Sequence, residues 1–163
     1  MIEEAADFMA ESEALYRLLL DHTDKTLEEV TAFKSWTIKD VIRHLHVWNQ
    51  MAFLSLTDKD GFDAALGQLL SGLGQEGGLR VPERAYLGEI TGEALLESWH
   101  QYAVDLASAF GDADPELRVP WAGPPMSAQS SIVARLMETW AHAQAVYDRL
   151  GVARENADRV RSI

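Results

Sequence analysis

The sequence predicts an all-α protein, a four-helix bundle, and three observations carry that reading. Four long stretches repeat their apolar residues with the period of a helix, the segments between them are rich in glycine and proline, and alternating strand patterns are scarce. No internal repeat is present. A length of 163 residues is that of a single domain, 1–163, with room for one core.

The first predicted helix covers residues 2–21. It gathers Ala5, Phe8, Met9, Leu15, Leu18 and Leu19 near one face and leaves Glu and Asp on the other. A polar connector starts at His22, with a single turn at Leu27 to Val30. The second long helix runs from Thr37 to about Leu56: Thr37 suits an N-cap, and Asp40 three residues on completes a capping box. Its apolar stripe is Ile38, Val41, Ile42, Leu45, Trp48 and Ala52. Asp60 is the expected cap of one short extra helix to about Leu70.

Ser71 to Gly78, with glycine at 72, 74, 77 and 78, reads as a flexible connection. It is no phosphate loop, since no strand precedes it and no Gly-Lys-Ser/Thr follows. Thr91 opens the third long helix, with Leu95, Trp99, Tyr102, Leu106 and Phe110 inward. Pro115, Pro120, Pro124 and Pro125 then make a stiff loop that is not helical. Ser127 starts the fourth long helix, and Gly151 ends it at a favourable C-terminal position. Arg154 to Ile163 reads as the beginning of another helix or a tail.

Composition narrows the function. The chain is 47% hydrophobic and 25% charged, as folded proteins are, with a formal net charge of -12 spread over both halves. With no basic pole, such a surface repels nucleic acid and anionic bilayers. The absence of cysteine removes disulfides, thiolate zinc sites and a cysteine nucleophile together. Apolar stretches fall short of the ~20 residues that span a membrane. Met1-Ile2-Glu3-Glu4 is acidic where a signal peptide is basic. The expectation is a cytoplasmic protein with a small-molecule partner, a monomer or homodimer.

Five histidines allow each to be weighed. Glu138 and His142 lie four apart on the fourth helix, which stacks both on one face, able to converge on one cation. Ala134, Ala141 and Ala145 leave space beside them, while Leu136, Met137, Trp140 and Val146 flank them as core. The same spacing also describes a solvent-facing helix pair worth a few tenths of a kcal/mol. Glu138, however, sits in the apolar run Ile132 to Val146, where an uncompensated carboxylate is costly.

The second helix offers a third ligand. His44 shares a face with Val41 and Trp48; His46, about 200° further round, shares one with Ile42 and Phe53. Both stay open on pattern alone, each also readable as a hydrogen-bonded core histidine. His22 reads as a surface residue and His100 as exposed beside Trp99. Trp36, Trp48, Trp99, Trp121 and Trp140 read as core and loop packing, with an aromatic-walled pocket as the alternative. With His44, Glu138 and His142, two histidines and a carboxylate leave an open position on a divalent ion, as catalysis needs and a four-ligand structural site does not. Any thiolate chemistry must use a thiol brought from outside. No general base is singled out among His46, His100 and Asp148.

Trp36-Thr37-Ile38-Lys39-Asp40-Val41-Ile42-Arg43-His44-Leu45 resembles the Trp-Thr/Ser-x-x-Asp/Glu-Leu/Val-x-x-His-Leu segment of the DinB-like, mycothiol-dependent maleylpyruvate isomerase superfamily. Trp121-Ala-Gly-Pro-Pro-Met126, followed by Ala134-Arg-Leu-Met-Glu-Thr-Trp-Ala-His142, is similar to uncharacterised metal-binding members of that group. The resemblance implies a DinB-like four-helix bundle with a divalent ion, zinc or nickel, held by His44, Glu138 and His142, and so selects His44 over His46. It also implies a low-molecular-weight thiol, bound as thiolate and directed at a small electrophile in an isomerase or S-transferase reaction. The maleylpyruvate isomerases carry a further C-terminal domain; this chain is expected to be a single-domain member or a fragment.

Overall fold

Capping chemistry and apolar periodicity together set the limits of the helices in the computed structural model, which describes residues 1–74 and 76–163. The predicted connection 71–78 contains Gln75, which lies outside the described residues. The four long helices are α1 (Glu4–Leu19), α3 (Ile38–Thr57), α6 (Gly92–Gly111) and α7 (Ala128–Leu150). Shorter helices α2 (Asp24–Leu27), α4 (Lys59–Ser71) and α5 (Arg80–Leu87) connect them, and a 3-10 turn at Asp158–Val160 ends the chain.

The caps follow the side-chain chemistry. Thr37 Oγ1 accepts from Asp40 N–H at 3.0 Å, and Asp40 Oδ2 accepts from Thr37 N–H at 3.2 Å, completing the capping box of α3. Thr91 and Ser127 cap α6 and α7 with the side-chain half alone, accepting from Ala94 and Ser130 N–H, and Gly151 ends α7 with φ 67°. For α4 the cap is Asp58 rather than the expected Asp60: its carboxylate accepts from Gly61 N–H at 3.0 Å. Only a glycine lets the carboxylate in, because a Cβ at 61 would stand 2.4 Å from Asp58 Oδ2.

In the bundle, α1 packs on α6 and α7, and α3 packs on the same two helices from the other side. Phe8, Leu15, Leu45, Trp99, Leu106, Phe110 and Ile132 are fully buried between them. Each such side chain contributes roughly 1.5–3 kcal/mol of transfer free energy. The adjacency of α3 and α7 decides the site, because each carries part of the candidate ligand set.

Three segments depart from expectation. The short helix α5 was not foreseen; it packs against α3 and α4, with Gly72 and Pro82 so close that a Cβ at 72 would lie 2.7 Å from Pro82 Cβ. The proline loop contains a small antiparallel pair, β1 (Arg118–Val119) and β2 (Met126–Ser127). Glu11, placed on the polar face of α1, is 1% exposed, because Arg154 and Arg159 of the C-terminal segment close over it and take its two carboxylate oxygens. That segment is therefore a docked strap and not a continuing helix. No helix among the described residues is long and apolar enough to cross a membrane.

Candidate metal centre

Helix geometry brings the three predicted donors together. The i, i+4 spacing of Glu138 and His142 stacks them on one face of α7, and His142 Nε2 stands 3.1 Å from Glu138 Oε2. From α3, His44 Nε2 reaches within 3.5 Å of the same oxygen. All three ligand atoms lie within 4.8 Å of one another. Ligands on a tetrahedral ion at about 2.0–2.2 Å are separated by about 3.4 Å, so the two distances to Glu138 fit one cation between the atoms.

The site is half enclosed. His44 is buried, while Glu138 and His142 are partly open, the Glu138 side chain retaining 34% exposure. Glu138 is thus less deeply placed than its apolar neighbours suggest. Aromatic rings close one side: Phe33 meets His142 edge-on at 4.9 Å between centroids, and Trp36 lies parallel to His142 at 6.1 Å. They come from the loop between α2 and α3, where the hydrogen bond from Trp36 N–H to Phe33 O closes a tight turn through Lys34 and Ser35.

Charge in the cluster is shared. Hydrogen bonds from His142 and then His44, aided by the Arg135 charge, hold the Glu138 carboxyl well below the usual carboxylate range against desolvation. For His44, burial is the largest single influence and acts to lower the pKa; its bonds to Glu138 and Glu83 outweigh it, and the pKa is raised. Arg135 is fully buried and drawn down to about 10 by desolvation, still cationic at neutral pH. Its Nε donates to Asn49 Oδ1 at 3.1 Å.

A pocket of about 360 Å³ adjoins the donors, walled by Trp48, Leu79, Trp121, Ala122, Ala134 and Met137, with polar atoms from His44, Arg135 and Glu138. Two tryptophans of the five therefore do line a pocket, with ring centroids 5.5 Å apart. Met137, assigned to the core, is instead 43% exposed. Trp140, also assigned there, is half-buried beneath the Arg154 guanidinium.

The other histidines stand elsewhere. His46 is buried on the opposite side of α3, against Gln50 and Tyr102, and burial pulls its pKa to about 4. His100 stacks on Tyr16 and bonds Glu13 at 2.7 Å. His22 and Asp148 are exposed, Asp148 accepting from Gln144.

Sequence reasoning missed Glu83 on α5. It is 1% exposed, and its Oε1 accepts from His44 Nδ1 at 2.7 Å and from Trp48 Nε1 at 2.9 Å. A signal was available: Pro82 in a first turn and Gly88 just beyond a last one bracket a helix.

Comparison with known proteins places this arrangement. A family model described as the mycothiol maleylpyruvate isomerase N-terminal domain matches residues 8–147. Two uncharacterized proteins from strains of Mycobacterium tuberculosis are 34% identical over 159 residues, covering 97% of this chain. The chain spans 60% of the length of these relatives. The crystal structure of the mycothiol-dependent maleylpyruvate isomerase superposes with a TM-score of 0.67 at 18% identity, over 98% of this chain and 66% of that one. A histidine-to-alanine mutant of that enzyme gives 0.64 at 17% identity with the same coverage. At such identity the likeness is one of fold.

Proposed function

This chain belongs to the mycothiol maleylpyruvate isomerase N-terminal domain family, and from that membership and the geometry of its donors we propose that it is a divalent-metal-dependent enzyme of thiol-dependent isomerase or S-transferase type. The observation that carries the reading is the convergence of His44 Nε2, Glu138 Oε2 and His142 Nε2 from two helices. These atoms would hold the ion, zinc or nickel as the family resemblance implies, two imidazoles and a carboxylate being a donor set that zinc accepts. When bound, zinc supplies the Lewis acidity that keeps a coordinated thiol ionised at neutral pH.

The chain's own residues favour an anionic thiol there. Glu83 and Glu138 against Arg135 leave one formal negative charge around the donors. A divalent ion reverses that to one positive charge, which a thiolate neutralises. With no cysteine in the chain, a thiol would come from outside it, and the family resemblance implies a low-molecular-weight one. The adjoining pocket of about 360 Å³, walled in part by Trp48 and Trp121, suits a small electrophile.

The test is a panel of cellular thiols with a chromogenic electrophile. Turnover that disappears with a chelator and returns with zinc is the expected result. Thiol or metal binding with no turnover against any electrophile would contradict the enzyme reading and assign the bundle to a non-catalytic binding module.

A further inference from the structure

Glu83 touches no proposed metal-binding atom, yet it is the most enclosed carboxylate beside them. Its Oε1 takes two N–H groups, from His44 and Trp48, while Oε2 is buried with no hydrogen-bond partner. An anion held this deeply loses hydration that two donors and the charge of Arg135 only partly replace. If Glu83 merely pinned α5, the position would be over-supplied. Arg80 and Arg84 already pair that helix with Asp40 of α3, at 3.7 and 3.4 Å, and Pro82 packs on Gly72.

What Glu83 alone does is fix an imidazole. A carboxylate oxygen only accepts, so Nδ1 of His44 carries a hydrogen for Glu83, and Nε2, the atom that faces Glu138, is the nitrogen left to give its lone pair to an ion. A ring without that partner is free to turn over or to carry its hydrogen on the wrong nitrogen. The bond from Trp48 to the same Oε1 ties the ring to a wall of the adjoining pocket.

We propose that Glu83 is the positioning residue of the metal centre: it orients His44 Nε2 toward Glu138 and His142, and because it rides on α5, metal binding and the docking of that helix are coupled. The proposal rests on the metal reading of the three donors. Orienting carboxylates of this kind change metal affinity 10–100-fold when removed. Coupling is reciprocal, so an ion that favours the oriented histidine also favours the docked helix. Glycines with positive φ at 77, 78 and 88 flank α5.

The experiment uses the full chain and zinc as the probe. Zinc dissociation constants are measured by competition with a chelating indicator for wild type, E83Q and E83L, alongside the melting temperature of each zinc-free protein. E83L is expected to bind zinc 10–100-fold more weakly. E83Q, which keeps an acceptor but loses the charge, should fall between. Zinc should slow amide exchange across residues 80–87 in the wild type and not in E83L.

Equal affinities for wild type and E83L would overturn the positioning role and leave the metal reading standing. A wild type that takes up no zinc would overturn both. If E83L does not fold, nitrogen-15 histidine spectra of the zinc-loaded wild type decide. Coordination through Nε2 with hydrogen on Nδ1 of His44 supports the proposal, and the reverse tautomer overturns it.

Discussion

Substituting His46 by leucine tests whether two histidines two residues apart on α3 have opposite fates. Burial holds His46 neutral, with a pKa near 4 against an ordinary value of 6.5. Between those values the unfolded chain binds a proton that the folded chain refuses. His46 therefore supports the fold at neutral pH, and that support is lost as the pH falls below 6.5 toward 4. Integrating the linkage from pH 7.5 to pH 4.5 gives a loss of about 2.5 kcal/mol assignable to this one ring. Other groups, including His44 with its opposite shift, titrate in both proteins and drop out of the difference. The assay is urea unfolding of wild type and H46L across that range, in zinc-free buffer. The stability gap between them should shift in favour of H46L by about that amount on acidification. Parallel curves would refute the reasoning, since they would mean that His46 gains its proton without penalty.

Four further outcomes follow from named contacts. T37A removes one half of the α3 capping box and should cost about 1 kcal/mol. D40A removes the other half and also strands the buried Arg43 guanidinium, 2.8 Å from Asp40 Oδ1, so it should cost about 3–5 kcal/mol by thermal or urea melts. Ser35 holds φ 56° in the turn beside the donors, a conformation that suits glycine, so S35G should raise stability by about 0.5–1 kcal/mol in the same melts. R154A leaves Glu11 with one of its two arginine partners and should free the C-terminal strap, seen as faster proteolysis after residue 151.

The long helices were legible because local rules agree with burial. Thr37 and Asp40 announce the start of α3, and Phe8, Leu15 and Leu19 mark the inner face of α1. The candidate site was legible in part. Glu138 and His142 are neighbours on any helix, so their pairing needs no tertiary knowledge. The choice between His44 and His46 did need it: both lie on apolar stretches of α3, and only the packing of α7 against one face separates them. The family resemblance made that choice where periodicity did not.

What escaped the sequence depends on partners far along the chain. Glu83 has charged neighbours in Arg80 and Arg84 and no local sign of burial, and only the docking of α5 sets it against His44 and Trp48. Glu11 is hidden by arginines more than 140 residues away. Asp60 lost its capping role to Asp58, because α3 and α4 share a single boundary residue and Gly61 admits its carboxylate. Met137, bulky and flanking the Glu138 face, reads as core, yet it is exposed and lines the pocket next to Glu138.

An anomalous-scattering map at the zinc edge, from crystals of the wild-type chain grown with zinc, tests the three-donor centre most directly. One strong peak bonded to His44 Nε2, Glu138 Oε2 and His142 Nε2, lost in H142A crystals, is the expected result. A map empty at those atoms, or a peak held by other side chains, would contradict it.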